Sequence, residues 1–243
     1  MTDAGATAVR VLRQLRHDPR TIALLLFVPA ILMTLFRLAF DREHAAFEAA
    51  GPSLMVLFPL TTMFLTSSIA LLRERTTGTL ERLMTTPLRR LSLLAGYGGA
   101  FTLLALLQSG VVCAVSLGGL GLTLAGPTAL VVVLAAAVAL LGLGLGLLAS
   151  AFARTEFQVV QFMPAVILPQ LLLCGLLVPR ARMSGALYAI SDALPMSYAV
   201  DGIHHLAAAP GGSGAAVGDL AIVLAFAVGA IVLGALTLRR RTD

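Results

Sequence analysis

The densest group of residues that could do chemistry lies in one charged segment, residues 73–90. Its seven charged side chains stand between two long apolar runs: Arg73, Glu74, Arg75, Glu81, Arg82, Arg89 and Arg90. Gly78 permits a tight turn, Thr79 can cap a short helix and Pro87 can end that helix. We therefore predict a short folded element that docks onto a soluble partner. The alternative is a solvated loop that only sets the topology of the chain.

Two other candidate sites have weaker patterns. Asp201, His204 and His205 suggest a metal site, but neighbouring histidines on a helix point in different directions. Gly211–Gly214 matches the G-x-S-G of rhomboid-type intramembrane proteases. In those proteases the basic partner follows the serine, whereas all four histidines of this chain precede Ser213. We therefore predict no catalytic residues and no metal site.

The composition indicates a polytopic membrane protein. Of the 243 residues, 58% are hydrophobic and 12% are charged, and the mean hydropathy is +0.96. A soluble domain carries about 25% charged residues. The net charge of +5 comes from arginines at the ends of apolar runs, without the aromatic residues that stack on nucleic acid, so we predict no nucleic-acid partner. Cys113 and Cys174 lie inside apolar runs, and their spacing matches no metal or redox motif.

The elements that position the charged segment are predicted to be six membrane-spanning helices in one domain, residues 1–243. A spanning helix needs roughly 20 mainly apolar residues. The predicted spans are residues 21–39, 52–72, a third starting near 93, a fourth ending near 152, 157–178 and 217–238. Glycines at 118–121 and the pair Gly126-Pro127 indicate the turn between the third and fourth spans. The fold class is therefore all-α integral membrane.

The arginines predict the orientation of the spans. Thirteen lie in residues 10–20, 73–90, 154 and 239–241, and only Arg37, Arg42, Arg180 and Arg182 lie on the opposite side. Because cytoplasmic loops are rich in arginine and lysine, both termini and the charged segment, taken as residues 73–92, are expected in the cytoplasm.

Two further segments are predicted to lie at the membrane surfaces. Residues 5–20 alternate leucine and valine with arginine at helical spacing, which indicates an amphipathic helix on anionic lipid; a disordered basic tail is the alternative. Residues 179–216 are too polar to span and too apolar for a solvated loop. We predict two short re-entrant helices divided by Pro195, followed by a flexible link at 210–214.

Two blocks of sequence resemble the ABC-2 type permeases, the membrane subunits of bacterial ABC exporters. Residues 74–87 read E-R-T-T-G-T-L-E-R-L-M-T-T-P, which is similar to the cytoplasmic segment E-R-x-x-G-T-L-E-x-L-x-x-T-P of that family. Residues 161–179 resemble its fifth-span region. Residues 190–202, I-S-D-A-L-P-M-S-Y-A-V-D-G, are similar to its outer segment I-S-x-x-x-P-x-x-Y-A-x-D-x.

The resemblance implies a permease whose energy is supplied by a separate protein. It implies six spans per subunit, a second permease copy in a homodimer, and two copies of an ABC ATPase that bind ATP and Mg. The chain has no G-x-x-x-x-G-K-[ST] phosphate loop, so we predict neither an enzyme nor a cofactor in this chain. By resemblance, the residues that couple to the ATPase are Arg73, Glu74, Arg75, Gly78, Thr79, Leu80, Glu81 and Arg82.

The resemblance also implies that the second and fifth spans line the substrate path. The predicted lining residues are Leu57, Phe58, Thr61, Thr62, Phe64, Leu65, Phe162, Met163, Val166, Ile167 and Gln170; ordinary helix packing is the alternative for each. The prolines in these spans can kink the helices, and the predicted hinges are Pro59, Pro164 and Pro169.

The remaining unusual residues within the spans are interpreted as packing elements. Small residues allow helices to approach closely in membranes, and the predicted contact glycines are Gly96, Gly99, Gly142, Gly144 and Gly146. Gln108 and Ser109 are isolated polar residues in the third span, for which an interhelical hydrogen bond is expected.

Taken together, the sequence predicts a permease subunit in the plasma (inner) membrane of a bacterium. The spans hold almost no ionisable residue, which argues against ion coupling and favours a hydrophobic substrate such as a drug or antibiotic. Export of a lipid or a lipid-linked polysaccharide is the alternative within this class. A membrane-embedded hydrolase is the alternative from another class.

Overall fold

The computed structural model describes residues 5, 9, 10, 13, 18–77, 90–208 and 210–237. Within these ranges the regular secondary structure is all helical, short loops join the helices, and there is no strand. The helices are α1 (Pro19–Ala39), α2 (His44–Thr76), α3 (Arg90–Cys113), α4 (Thr128–Phe152), α5 (Glu156–Leu173), α6 (Gly185–Asp192), α7 (Pro195–Ala208) and α8 (Ser213–Thr237). A π-helical turn, Ala114–Gly119, extends α3.

Six of these helices, α1 to α5 and α8, are long and apolar enough to cross a membrane. They alternate in direction, so the end of α2, the end of α4 and the beginning of α5 meet at one end of the bundle. We call this the Arg73 end. The opposite end, which carries α6 and α7, is called the Arg180 end. The prediction of an all-α membrane fold with six spans is confirmed.

Two of the helices that begin at the Arg73 end, α1 and α5, have side-chain caps. Asp18 precedes α1 and accepts hydrogen bonds from the backbone N–H of Thr21 (3.2 Å) and from its hydroxyl (2.6 Å). Pro19 follows as the first helical residue, where its missing N–H costs nothing. Thr155 caps α5 by accepting from the backbone N–H of Gln158 at 3.3 Å. Both caps limit the helices to defined starting residues.

Helix α4 is the centre of the bundle. In its most apolar 18-residue stretch, 72% of the residues are buried. Gly142 faces the carbonyl of Leu60 in α2, and Gly146 faces the carbonyl of Phe64. Gly144 faces Ala230 in α8.

A Cβ atom at any of these three glycines would lie within 3 Å of its neighbour, so α2 and α8 pack against α4 almost backbone to backbone. The predicted packing role of Gly142, Gly144 and Gly146 is confirmed. Gly99 is exposed and has no neighbour within 4 Å of the position of a Cβ, so that prediction is wrong.

Several predicted boundaries need correction. The second span begins at His44 rather than at 52, because Gly51 and Pro52 are buried inside the helix and do not break it. The fifth span ends at Leu173 rather than at 178, because Gly175 takes a φ of +96° that stops the helix. The apolar run continues past this point, but hydrophobicity alone does not keep the chain helical.

The segment between the fifth and sixth spans contains two short helices, α6 and α7, and Pro195 is the first residue of α7. The predicted division at Pro195 is confirmed. The predicted flexible link at 210–214 is wrong, since Pro210–Gly212 form a 3₁₀ turn and α8 starts at Ser213. Most of the predicted surface helix, residues 5–20, lies outside the described residues.

Candidate functional site

The last turn of α2 carries the first three residues of the predicted coupling segment. The helix runs to Thr76, so Arg73, Glu74 and Arg75 are part of the second span itself. The hydroxyl of Thr77 donates to the carbonyl of Arg73 at 2.8 Å, and the backbone N–H of Thr77 donates to the same oxygen at 3.0 Å. These bonds use a carbonyl that the helix end would otherwise leave unpaired. The charged segment therefore begins as a rigid extension of α2.

Arg73 joins α2 to α5 through Nε and Nη2, the two nitrogens along one edge of its guanidinium. Its Nε donates to Oε1 of Glu156 at 2.7 Å, and its Nη2 donates to Oε2 at 3.3 Å. Glu156 is the first residue of α5, where the helix N-terminus favours a negative charge. A two-pronged bond of this kind fixes the relative orientation of the two groups as well as their distance.

Arg75 joins the same turn of α2 to α4. Its Nη1 donates to the backbone carbonyl of Ser150 at 2.6 Å. Ser150 lies in the last turn of α4, where carbonyls have no partner within the helix, so the arginine satisfies a group that would otherwise need water. Glu74, between the two arginines, is buried, with 8% of its surface exposed. The end of α2 is thus fastened to two neighbouring helices.

The start of α1 adds a carboxylate to this end of the bundle. The pKa of Asp18 is lowered, mainly by the hydrogen bonds from Thr21 and, to a smaller extent, by the positive charge of Arg73. Asp18 therefore stays ionised at neutral pH. The charge of Arg73 acts on carboxylates at the start of two spans, α1 and α5.

Five of the eight predicted coupling residues lie outside the described residues: Gly78, Thr79, Leu80, Glu81 and Arg82. Their coupling role stays a prediction. The structure adds Glu156 and Ser150 to the three that it describes. Neither was predicted, because Glu156 is 83 positions from Arg73 and a single sequence carries no signal that joins residues so far apart.

Arg180 organises the opposite end of the bundle. Its side chain is only 12% exposed, forms ion pairs with Asp192 and Asp201, and donates to the hydroxyl of Ser191 at 3.0 Å. Its guanidinium carbon also lies 5.2 Å from the centre of the Tyr188 ring. One arginine therefore holds α6, α7 and the end of the fifth-span region together. Sequence reasoning treated Arg180 only as an indicator of topology.

His204 and His205 have separate partners, as expected for neighbours on a helix. Nε2 of His204 lies 2.8 Å from the hydroxyl of Ser53 in α2, and Nδ1 of His205 lies 2.9 Å from Oδ2 of Asp219 in α8. Burial lowers the pKa of His204 because the charged imidazolium is poorly solvated there. The two histidines therefore attach α7 to two spans.

The predicted path residues fall into two groups. Helices α2 and α5 are in contact, and the partly buried side chains of Leu65 and Phe162 pack on the same apolar cluster. Four path residues are almost fully buried within the chain: Leu57, Phe64, Ile167 and Gln170. The others are partly exposed: Phe58, Thr61, Thr62, Leu65, Phe162, Met163 and Val166. Their role in transport stays a prediction.

The predicted hinges lie within continuous helices. Pro59 is buried in α2, whereas Pro164 and Pro169 lie on the exposed side of α5. Each proline removes one backbone hydrogen bond from its helix. Gln108 in α3 donates to the hydroxyl of Thr62 in α2, which confirms the expected interhelical bond for Gln108. For Ser109 the expectation is wrong, because its buried hydroxyl has no hydrogen-bond partner among the described residues.

The fold and the site describe a multi-pass membrane protein with a rigid polar extension at one end and no domain outside the bundle among the described residues. The model of the ABC-2 type transporter family matches residues 4–206. The chain therefore belongs to the ABC-2 type transporter family, and it is a transmembrane permease component rather than a nucleotide-binding domain. Permeases of this family normally work with an ATPase partner. No curated protein matches the chain.

Proposed function

We propose that the chain is the permease subunit of a bacterial inner-membrane exporter for hydrophobic small molecules such as drugs or antibiotics. Two copies would assemble with two copies of a separate ABC ATPase that binds ATP and Mg. The observation that carries the choice of substrate is the distribution of charge in the spans. In the described parts of these helices, ionisable residues lie within two turns of a helix end. An uncharged interior suits an apolar cargo and supplies no groups for ion coupling.

The proposed point of contact with the ATPase is residues 73–82, on the cytoplasmic side. Arg73 and Arg75 bond the last turn of α2 to α5 and α4, so the chain that leaves α2 at Thr77 is mechanically connected to both neighbours. A push on residues 78–82 would therefore act on the last turn of α2 and, through Arg73, on α5. The partly exposed path residues between α2 and α5 are the proposed route of the substrate.

The proposed second copy would contact the exposed stripe of α5. The side chains on this stripe recur at helical spacing, and none is buried: Phe157, Gln161, Pro164, Leu168 and Leu172. In the most apolar stretch of α5 only 17% of the residues are buried. Leu168→Cys is expected to form a disulfide between copies in native membranes. The matched control is Leu103→Cys on α3, which is similarly exposed and is expected to stay monomeric.

Transport by the assembled complex tests the function. The permease and a candidate partner ATPase are reconstituted in liposomes, and ATP-dependent uptake of a fluorescent apolar dye is measured in the inside-out fraction. Uptake that requires both chains and a hydrolysis-competent ATPase is the expected result. ATP-dependent movement of a fluorescent phospholipid without dye uptake would instead indicate a lipid exporter. Ester or peptide hydrolysis by the purified permease alone would contradict the proposal.

A further inference from the structure

The Arg73–Glu156 bond connects α2, which is well packed within the chain, to α5, which has little packing there. It joins the last turn of α2 to the first residue of α5. Beneath it lies a small apolar cluster in which Leu72 of α2 packs with Ala153 and Val159. The ion pair and this cluster hold the ends of α2 and α5 as one unit, although α3 and α4 lie between them in the chain.

The second polar contact of the last turn of α2 is with α4, a helix that is closely packed on several sides. Arg75 binds the carbonyl of Ser150 in α4. Helix α4 is enclosed, and its glycines contact α2 and α8 at backbone distance. Displacing α4 would therefore break close packing on two sides. Helix α5 has little packing within the chain and can shift at a lower cost.

We propose that Arg73 and Glu156 are positioning residues that carry movement of the coupling segment to the fifth span. The bond from Arg75 to Ser150 serves as the pivot on the fixed helix, and the bond from Arg73 to Glu156 is the arm that moves α5. The proposal rests on the proposed function, because it takes the ATPase as the source of the movement. It assigns a role in transport to Glu156, which lies outside the coupling segment.

Because the Arg73–Glu156 bond is bidentate, it fixes the angle of α5 relative to α2 as well as the distance between them. A lysine at position 73 would keep the charge but would act as a single point, so it would hold α5 at a distance without fixing its angle. The charge of Arg73 also acts on Asp18 at the start of α1. Any exchange of charges in this pair must therefore include that third residue.

Distances between spin labels within one chain test the proposal in the assembled transporter. Labels are placed at the exposed positions Thr77, Phe157 and Leu236, in pairs, after Cys113→Ala and Cys174→Ala. Leu236 lies near the end of α8, which packs against α4 and serves as the fixed reference. Labelled chains are diluted with unlabelled ones, and each pair is measured without nucleotide and with ATP and vanadate.

In the wild type, ATP and vanadate are expected to change both the Thr77–Leu236 and the Phe157–Leu236 distances. In Glu156→Gln and in Arg73→Gln, the first change remains and the second is lost. The matched controls are Glu43→Gln and Arg154→Gln, which neutralise exposed charges and keep both changes.

The outcomes separate this proposal from the proposed function. If the Thr77–Leu236 distance does not respond to nucleotide in the wild type, the coupling role of the segment is wrong. If it responds and Phe157 moves equally in Glu156→Gln, the arm between α2 and α5 is wrong. The exchange Arg73→Glu with Glu156→Arg, combined with Asp18→Asn, is expected to restore the movement of Phe157.

Discussion

The close approach of α2 and α4 gives a sharp test of the packing. In Gly142→Ala the new Cβ would lie 2.3 Å from the carbonyl oxygen of Leu60 and 3.1 Å from its Cα. These are backbone atoms, so no side-chain rotation can make room, and α2 must retreat by about 1 Å. Overpacking of this kind costs about 1–3 kcal/mol, and the better helix propensity of alanine returns about 0.5–1 kcal/mol. The difference is a net loss of about 0–2.5 kcal/mol, and we expect the upper half of that range because the clash is with backbone atoms.

The assay is equilibrium unfolding in mixed micelles with increasing SDS, followed by circular dichroism. The matched control is Gly99→Ala, because Gly99 lies inside α3 and has nothing within 4 Å of the position of a Cβ. This control is expected to be neutral or slightly more stable than the wild type. A Gly142→Ala variant as stable as the wild type, or an equal loss in both variants, would refute the backbone-to-backbone packing of α2 on α4.

Three further predictions concern polar contacts. Arg180→Gln leaves two carboxylates without their cation, so we expect about 1–3 kcal/mol less local stability, seen as faster amide exchange across residues 180–208. Because burial lowers the pKa of His204, its neutral form contributes stability that is present above about pH 6.5 and is lost as the pH falls through the lowered value. The melting temperature should therefore fall more on acidification in the wild type than in His204→Gln. Thr62→Val should cost about 1 kcal/mol because it leaves the buried amide of Gln108 without an acceptor, and adding Gln108→Leu should recover most of this loss in SDS unfolding.

The spans could be predicted from the sequence because a membrane offers no water to the backbone. Every backbone N–H and C=O there must be hydrogen-bonded within the protein, so a spanning segment is a long, apolar helix that the sequence shows directly. The glycines of α4 could be predicted for a related reason, since three of them at alternate positions in an apolar run allow close helix contact. The same argument was wrong for Gly99, because a glycine in a helix does not reveal whether another helix faces it. Close packing depends on both helices that meet, whereas the sequence pattern of a helix describes only that helix.

The helix ends could not be predicted well because other parts of the chain determine them. Gly51 and Pro52 are typical of a turn, yet in the fold they are buried within α2, and Leu122 packs against Gly51. The apolar residues after Leu173 are typical of a continuing span, yet Gly175 ends the helical region with a left-handed conformation. At such positions the local sequence is compatible with a helix that continues and with a helix that ends, and tertiary contacts decide which of the two forms.

The polar contacts of the candidate site were the least predictable part of the chain. Arg73 was identified within a charged segment and Arg180 as an indicator of topology, but their partners were not. Arg180 pairs with carboxylates 12 and 21 positions away, and Arg73 with one 83 positions away. No helical or strand periodicity relates residues so far apart in the sequence, so these pairs are recognised only in the folded chain.

The two arginines together explain why strain would concentrate in α5. Its first residue is held by Arg73, and the chain just beyond its last residue is held by Arg180. Between these points little of the helix is packed within the chain, and two prolines each remove a backbone hydrogen bond. We therefore expect a displacement applied at Glu156 to meet its least resistance near Pro164 and Pro169, the predicted hinges. The bend would then occur beside the partly exposed path residues and away from the close packing of α4.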